Sequence, residues 1–323
     1  MRVSLFLRAI TAVTVPTVLG TFIGHDLLPA AAASRSSAPA VVAANRPVVT
    51  PPPAVIPPVL VATVSTTPLA PPTRPTSTTP PPVPVPFSAR RVVLYGDSLG
   101  WEAQSSFHFT LGSAGFTQVT TRTFGGTAIC DWLAQMRADE TALHPDAVVV
   151  EFSGNAIGRC MWGLDGSPLS TSAYFAKYQH DARAVLDIFT RTATVYLVGT
   201  PISQRAALAD DPNTGRLNTI YQTLAATTAH TRYIDAGAAV TAEGHWTHTL
   251  PCLATEPCSG GTDAAGTHVN VVRAPDGAHF CPVAHAAIRG VVESCPVYSS
   301  GAYRFGAAMA EPVIADFSGE TRG

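Results

Sequence analysis

Four short blocks carry residues that could do chemistry: Gly96-Asp97-Ser98-Leu99, Gly125-Gly126-Thr127, Ser153-Gly154-Asn155 and Asp276-Gly277-Ala278-His279. A hydroxyl, an imidazole with a nearby carboxylate, and a set of amides are the groups that acyl transfer through a serine would need. A free hydroxyl is a poor nucleophile and needs a base to take its proton. An imidazole, with an unperturbed pKa of roughly 6.5, can take that proton and give it back. Asp276 stands three residues before His279, so a single turn can bring its carboxylate to the ring. There it would set the tautomer and stabilise the imidazolium. Taken singly, each block has a plainer reading. A serine after a strand commonly caps a helix, a Gly-Gly pair makes a turn, an Asn in a loop bonds its own backbone, and Asp-x-x-His can be a solvated turn.

The elements around the blocks decide between these readings. Val92–Tyr95 is an apolar run that ends in Gly96, the pattern of a buried strand. A helix is expected over Trp101–Leu111, a strand over Gln118–Phe124, and a helix over Ile129–Leu143, stopped before Pro145. Ala147–Phe152 is the strongest strand pattern. Ser172–Thr190 has apolar residues at helical spacing, Ala193–Val198 reads as a strand, Leu217–Ala229 as a helix and Arg232–Asp235 as a short strand. Pro282–Glu293 closes the series as a helix with proline in its first turn. Alternating strands and helices imply a parallel sheet of about five strands covered on both faces. In such sheets ligands bind beyond the carboxyl ends of the strands. The first three blocks follow the first three strands, and the fourth sits in a polar loop before the last helix.

The stretch from about 90 to 297 resembles the GDSL/SGNH hydrolase superfamily of esterases, lipases and acyltransferases. Val93-Leu94-Tyr95-Gly96-Asp97-Ser98-Leu99 is the most specific match, followed by Arg273-Ala274-Pro275-Asp276-Gly277-Ala278-His279-Phe280. The nucleophile near the front of the domain separates this pattern from α/β-hydrolases, which carry Gly-x-Ser-x-Gly in mid-domain. The resemblance implies a three-layer, flavodoxin-like α/β fold. It implies Ser98 as nucleophile, His279 as base and Asp276 as the residue that orients it. It implies an oxyanion hole made of the Ser98 N–H, the Gly126 N–H and the Asn155 side-chain amide. Gly125 adjoins Gly126, and Gly126 is chosen because a polar residue, Thr127, follows it. The third block departs from the usual Gly-x-Asn-Asp, since Ala156 follows Asn155. Asp97 is expected to brace its turn. The implied activity is hydrolysis of an acyl ester. O-acyl transfer to a cell-wall or surface polysaccharide is the first alternative, and a non-catalytic binding module the second.

The rest of the chain bounds that activity. Arg2 and Arg8, an apolar stretch to about Gly24 and Ala30-Ala31-Ala32-Ala33 follow the basic, apolar, small-residue order of an export signal over residues 1–33. An uncleaved membrane anchor is the competing reading. Residues 34–87, with Pro51-Pro52-Pro53, Pro71-Pro72 and Pro80-Pro81-Pro82, read as an extended spacer. The catalytic domain is expected at 88–297 and a tail at 298–323, whose Tyr298, Tyr303 and Phe305 leave open whether it packs on the domain or hangs free. A secreted or cell-envelope location follows, and six cysteines suit it. Loop proximity suggests Cys130–Cys160, Cys252–Cys258 and Cys281–Cys295. The absence of C-x-x-C spacing argues against zinc. A Cys130–Cys160 bond would hold the Gly126 and Asn155 loops in register. Trp101, Trp132 and Trp162 are candidates for lining a sugar or acyl pocket, against ordinary packing. His245, His248, His268 and His285 read as loop or off-face histidines, and Asp235 as a lesser alternative to Asp276. A net charge of −2 without a Lys/Arg run excludes a nucleic-acid partner. No cofactor motif is present. The expected partner is an acylated small molecule, lipid or polysaccharide.

Overall fold

The computed structural model describes residues 85–281, 295 and 298–320. The expected export segment, nearly all of the proline-rich spacer, the helix expected at 282–293 and His285 lie outside the described residues.

Five parallel strands form the centre: β1 (Arg91–Gly96), β2 (Gln118–Thr123), β3 (Ala147–Glu151), β4 (Thr194–Val198) and β5 (Thr231–Ile234), in the order β2-β1-β3-β4-β5. This is the flavodoxin-like order, whose direction reverses between β1 and β3. Register is continuous there, with Val93 beside Thr120 on one side and Val148 on the other. Side chains of a strand alternate between faces, so one strand feeds two cores. Val92 and Leu94 pack with Phe107, Phe305, Met309 and Val313. Val93 and Tyr95 pack with Met136, Tyr178, Val185 and Tyr221. The first core is covered by α1 (Ser98–Ser113) and α6 (Ser300–Glu320), the second by α2 (Ile129–Leu143), α3 (Thr171–Phe189) and α5 (Arg216–Thr227). A short helix, α4 (Gln204–Leu208), follows β4, and β6 (Thr249–Pro251) pairs antiparallel with β7 (Val269–Val271).

Two expected boundaries change. Residues 300–320 are the helix that covers the α1 side of the sheet, not a tail outside the domain. Glycines and an internal proline, Pro312, hide this helix in the sequence. One glycine explains its closeness to α1: a Cβ on Gly306 would stand 2.6 Å from the Ala103 carbonyl oxygen. At the other end the spacer stops short of Phe87. Its ring stacks on Phe116 with centroids 4.8 Å apart, so it belongs to the packed domain. Phe116 also meets Phe317 of α6 at 6.0 Å, and the Arg90 guanidinium lies over Phe317 at 4.6 Å.

Candidate active site

Ser98 opens α1, directly after β1. Asp97 caps that helix, its Oδ1 accepting the Leu99 N–H at 3.0 Å. A first-turn position exposes free N–H groups and the positive end of the helix dipole to whatever binds there. The fourth block folds back on itself. Asp276 Oδ1 accepts the amides of Ala278 (2.9 Å) and His279 (3.0 Å), and the Ala274 N–H donates to the His279 carbonyl. Asp276 Oδ2 is therefore aimed at the ring of its own block and lies 2.6 Å from His279 Nδ1. His279 Nε2 stands 2.8 Å from Ser98 Oγ. With Nδ1–H given to the carboxylate, Nε2 is the acceptor for the serine proton.

The second and third blocks line the same cavity. It has a volume of about 1150 Å³, is open to solvent, and is walled by Ser98, Gly125, Gly126, Asn155 and His279 among others. Gly126 adopts φ +80°, a left-handed conformation that glycine takes without strain. Gly125 lies against Ser98, since a Cβ on it would sit 3.7 Å from that of Ser98. The third block is gripped by Asp97, whose Oδ2 accepts from Ser153 N (2.7 Å), Ser153 Oγ (2.6 Å) and Asn155 Nδ2 (2.8 Å). One Asn155 N–H is so used, and the residue itself lines the cavity. Asp97 is wholly buried. Burial pushes its pKa up, against the Ser153 and Leu99 hydrogen bonds and the His279 charge.

The chain matches the model of a family described as protein of unknown function DUF459 over residues 91–294, more than half its length. It belongs to the DUF459 family. By sequence, no curated protein matches this DUF459 chain. Among solved structures it is similar to a lipase/acylhydrolase from Enterococcus faecalis, at 18% identity over 70% of this chain and 96% of that one, with TM-score 0.42. It is also similar to the catalytic domain of a peptidoglycan O-acetyltransferase from Streptococcus pneumoniae, at 15% identity over 71% and 96% of the two chains, TM-score 0.42. A GDSL-like lipase from Bacteroides thetaiotaomicron gives 15%, 70% and 88%, TM-score 0.40. These likenesses are loose, and the fold assignment stands on the strand order and register of the DUF459 domain itself.

Three tyrosines that the sequence blocks do not contain hold the Asn155 loop from behind. Tyr174 Oη donates to the Gly154 carbonyl (2.7 Å), Tyr178 Oη to that of Asn155 (2.8 Å) and Tyr221 Oη to that of Phe152 (3.3 Å). Gly154, at φ +105°, leaves the Tyr174 hydroxyl its place: a Cβ would stand 2.5 Å from it. Cys130–Cys160 ties the start of α2 to the segment after this loop, and Cys252–Cys258 and Cys281–Cys295 are also bonded. Behind His279, the buried Arg273 guanidinium lies over the Phe280 ring and donates to the carbonyls of Ala278 (3.3 Å) and Ile202 (3.5 Å). Burial lowers its pKa to about 10. Glu102, one turn after Ser98, accepts the Phe280 N–H at 2.6 Å.

The tryptophans divide. Trp101 lines the cavity. Trp132 does not: its indole N–H donates to Thr127 Oγ1 at 3.0 Å and its ring meets Tyr95 edge-on, so it braces the glycine turn from outside. Trp162, 43% exposed, lies in the loop that bridges back at Pro168 and is also absent from the cavity wall. Asp235 lines the cavity but is not a hydrogen-bond partner of His279, a place taken by Asp276. Among the described residues, the clusters with metal-like spacing, Glu102–Cys281–Cys295 and Cys130–Asp131–Cys160, consist largely of disulfide-bonded cysteines, which have no thiolate to offer. His245, His248 and His268 join neither cluster.

Proposed function

We propose that this protein is an exported serine hydrolase that cleaves carboxylic esters through an acyl-serine intermediate. The observation that carries the reading is the unbroken hydrogen-bonded line from Asp276 through His279 to Ser98 at the wall of an open cavity. Ser98 Oγ attacks the acyl carbon while His279 Nε2 takes its proton. The oxyanion is received by the amides of Ser98 and Gly126 and by the free N–H of Asn155. Collapse breaks the ester C–O bond, and His279 returns the proton to the leaving alkoxide. Water, deprotonated by the same imidazole, then attacks the acyl-serine and releases the acid and Ser98. Removing one oxyanion donor, as in Asn155→Ala, costs about 10²–10³-fold in kcat. Export is supported by three disulfides, which persist in oxidising compartments. Among the described residues no helix is long and apolar enough to cross a membrane. The expected partner is an acylated alcohol, sugar or lipid.

The size and openness of the cavity favour one second reading. About 1150 Å³ exceeds what a short acyl chain fills, so a sugar hydroxyl can replace water as acceptor and make the protein an O-acyltransferase. An acetyl-ester donor, with and without a glycan acceptor, separates the two by products: free acetate for hydrolysis, acetylated glycan for transfer. The serine mechanism itself is tested with a fluorophosphonate probe and p-nitrophenyl acetate. Wild type labels and hydrolyses, and Ser98→Ala does neither. A His279→Ala variant as fast as wild type would overturn the base assignment.

A further inference from the structure

Glu151 ends β3 directly under the nucleophile turn and takes no part in the Asp276–His279–Ser98 line. It and Asp97 are among the most buried polar residues of the domain, at 1% and 0% exposure. They are neighbours across β1 and β3: Gly96 is in register with Glu151, and the Asp97 N–H donates to the Glu151 carbonyl. The space for the Glu151 carboxyl is made by two glycines of the nucleophile block. A Cβ on Gly96 would stand 3.0 Å from its Oε2, and one on Gly100 2.7 Å. The two carboxyls are supplied with donors very unequally. Asp97 accepts from Leu99 N, Ser153 N, Ser153 Oγ and Asn155 Nδ2. Glu151 Oε2 accepts the Gly100 N–H at 2.7 Å, and its buried Oε1 meets no donor.

Adjacent carboxyls taken out of water cannot both carry charge. The partner with four donors is the anion. The one with a single donor and an orphan oxygen is the acid, because a protonated carboxyl needs an acceptor where a carboxylate needs donors. Burial first, and then the Asp97 charge, hold Glu151 well above the usual carboxylate range. Resting on the hydrolase reading above, we propose that Glu151 is a neutral carboxylic acid sharing its proton with Asp97, and that through Asp97 it holds Asn155 and the nucleophile turn in their reactive positions. It is a positioning residue: it touches neither substrate nor the reacting atoms.

The test has a spectroscopic arm and a kinetic arm. Infrared difference spectra of wild type against Glu151→Gln at neutral pH are expected to show the carbonyl band of a protonated carboxylic acid in wild type, lost in the variant. Absence of that band overturns the proposal. In ester hydrolysis, Glu151→Leu is expected to lower kcat by about 10²-fold with KM nearly unmoved, the split expected when only transition-state stabilisation is lost. Glu151→Gln, which keeps a neutral donor, is expected to rescue most of that loss. Equal loss in both variants overturns the proposal. If Glu151→Leu does not fold, the band and the activity of Glu151→Gln still decide. If wild type neither labels with fluorophosphonate nor hydrolyses ester, the hydrolase reading fails by itself, while the band still decides whether the neutral acid exists.

Discussion

His279 is pulled in two directions. Burial disfavours its charged form, yet the hydrogen bond to Asp276, with the charges of Glu102, Asp276 and Asp97, carries its pKa above the ordinary imidazole value. Asp276 mirrors it: burial alone would raise its pKa, and the Ala278 and His279 hydrogen bonds bring it below the usual range. In the proposed mechanism the base works only when neutral, so kcat/KM is expected to fall as pH drops through the His279 pKa, and a raised pKa would place that limb at higher pH than free imidazole does. Removing a negative charge near the ring must move the limb down. Glu102→Gln is therefore expected to shift the acid limb of kcat/KM to lower pH, read from p-nitrophenyl acetate hydrolysis across the range from about pH 5 to about pH 9. A limb that stays in place would show that the Glu102 charge does not reach His279. At this scale the sequence was unevenly legible. Ser98, Asp276 and His279 sit in compact blocks whose spacing suggests their contact. Glu102 gave no sign, because a glutamate one turn into a helix is normally solvated, whereas this one is buried and accepts the Phe280 N–H.

Between elements, the Asn155 loop is held by side chains of two helices on the far face of the sheet from α1. Deleting the Tyr178 hydroxyl leaves the part-buried Asn155 carbonyl without that donor, which costs at most about 1–3 kcal/mol locally. Tyr178→Phe is expected to lower kcat more than it changes KM and to leave fluorophosphonate labelling detectable but slower. Unchanged kcat would mean that the loop holds its shape without that bond. A second tie joins the β6 region to α6. Glu256, whose side chain is wholly buried, pairs with Arg304 and accepts from Ser300 Oγ (2.6 Å), Tyr298 Oη (3.0 Å) and Leu253 N (2.9 Å). Burial would raise its pKa, but Arg304, Ser300 and the Leu253 N–H bring it down to about 2. A depressed carboxylate stabilises the fold above its unfolded pKa, and that contribution disappears as pH falls toward the folded value. Melting temperature in wild type is therefore expected to fall between about pH 4.5 and about pH 2. In Glu256→Gln it starts lower at neutral pH, by the equivalent of about 3–5 kcal/mol for a broken buried pair, and has lost that acid step. Apolar and β-branched runs made the five central strands readable to within a residue or two. The tyrosines were not readable, since their partners are loop carbonyls with no sequence signature. Of the two readings left open for Trp132 and Trp162, pocket wall or ordinary packing, residue type could not choose, because it says nothing about which side of a loop a ring takes; neither lines the cavity.

For the molecule as a whole, the three disulfides join segments outside the five-stranded sheet. Cys130–Cys160 closes 30 residues, which in the chain-entropy picture contributes roughly 3–4 kcal/mol. The paired Cys130→Ser, Cys160→Ser variant is expected to melt at lower temperature and to lose kcat before it loses its far-ultraviolet circular dichroism. A variant equally stable and equally active would show the bond to be dispensable. The domain's carboxyl-terminal boundary was the least legible large feature. Gly301, Gly306 and Pro312 lower intrinsic helix propensity, and the packing against α1 that outweighs this cannot be seen from residues 298–323 alone. Phe87, just ahead of β1, and Phe317, near the end of α6, both rest on Phe116. The folded unit thus begins and finishes at one pole, at the amino end of β1. Ser98 follows the carboxyl end of that strand, about 20 Å away along its length. A fusion joined directly ahead of Phe87 or just beyond α6 would hold this folded unit at the end of the sheet away from Ser98.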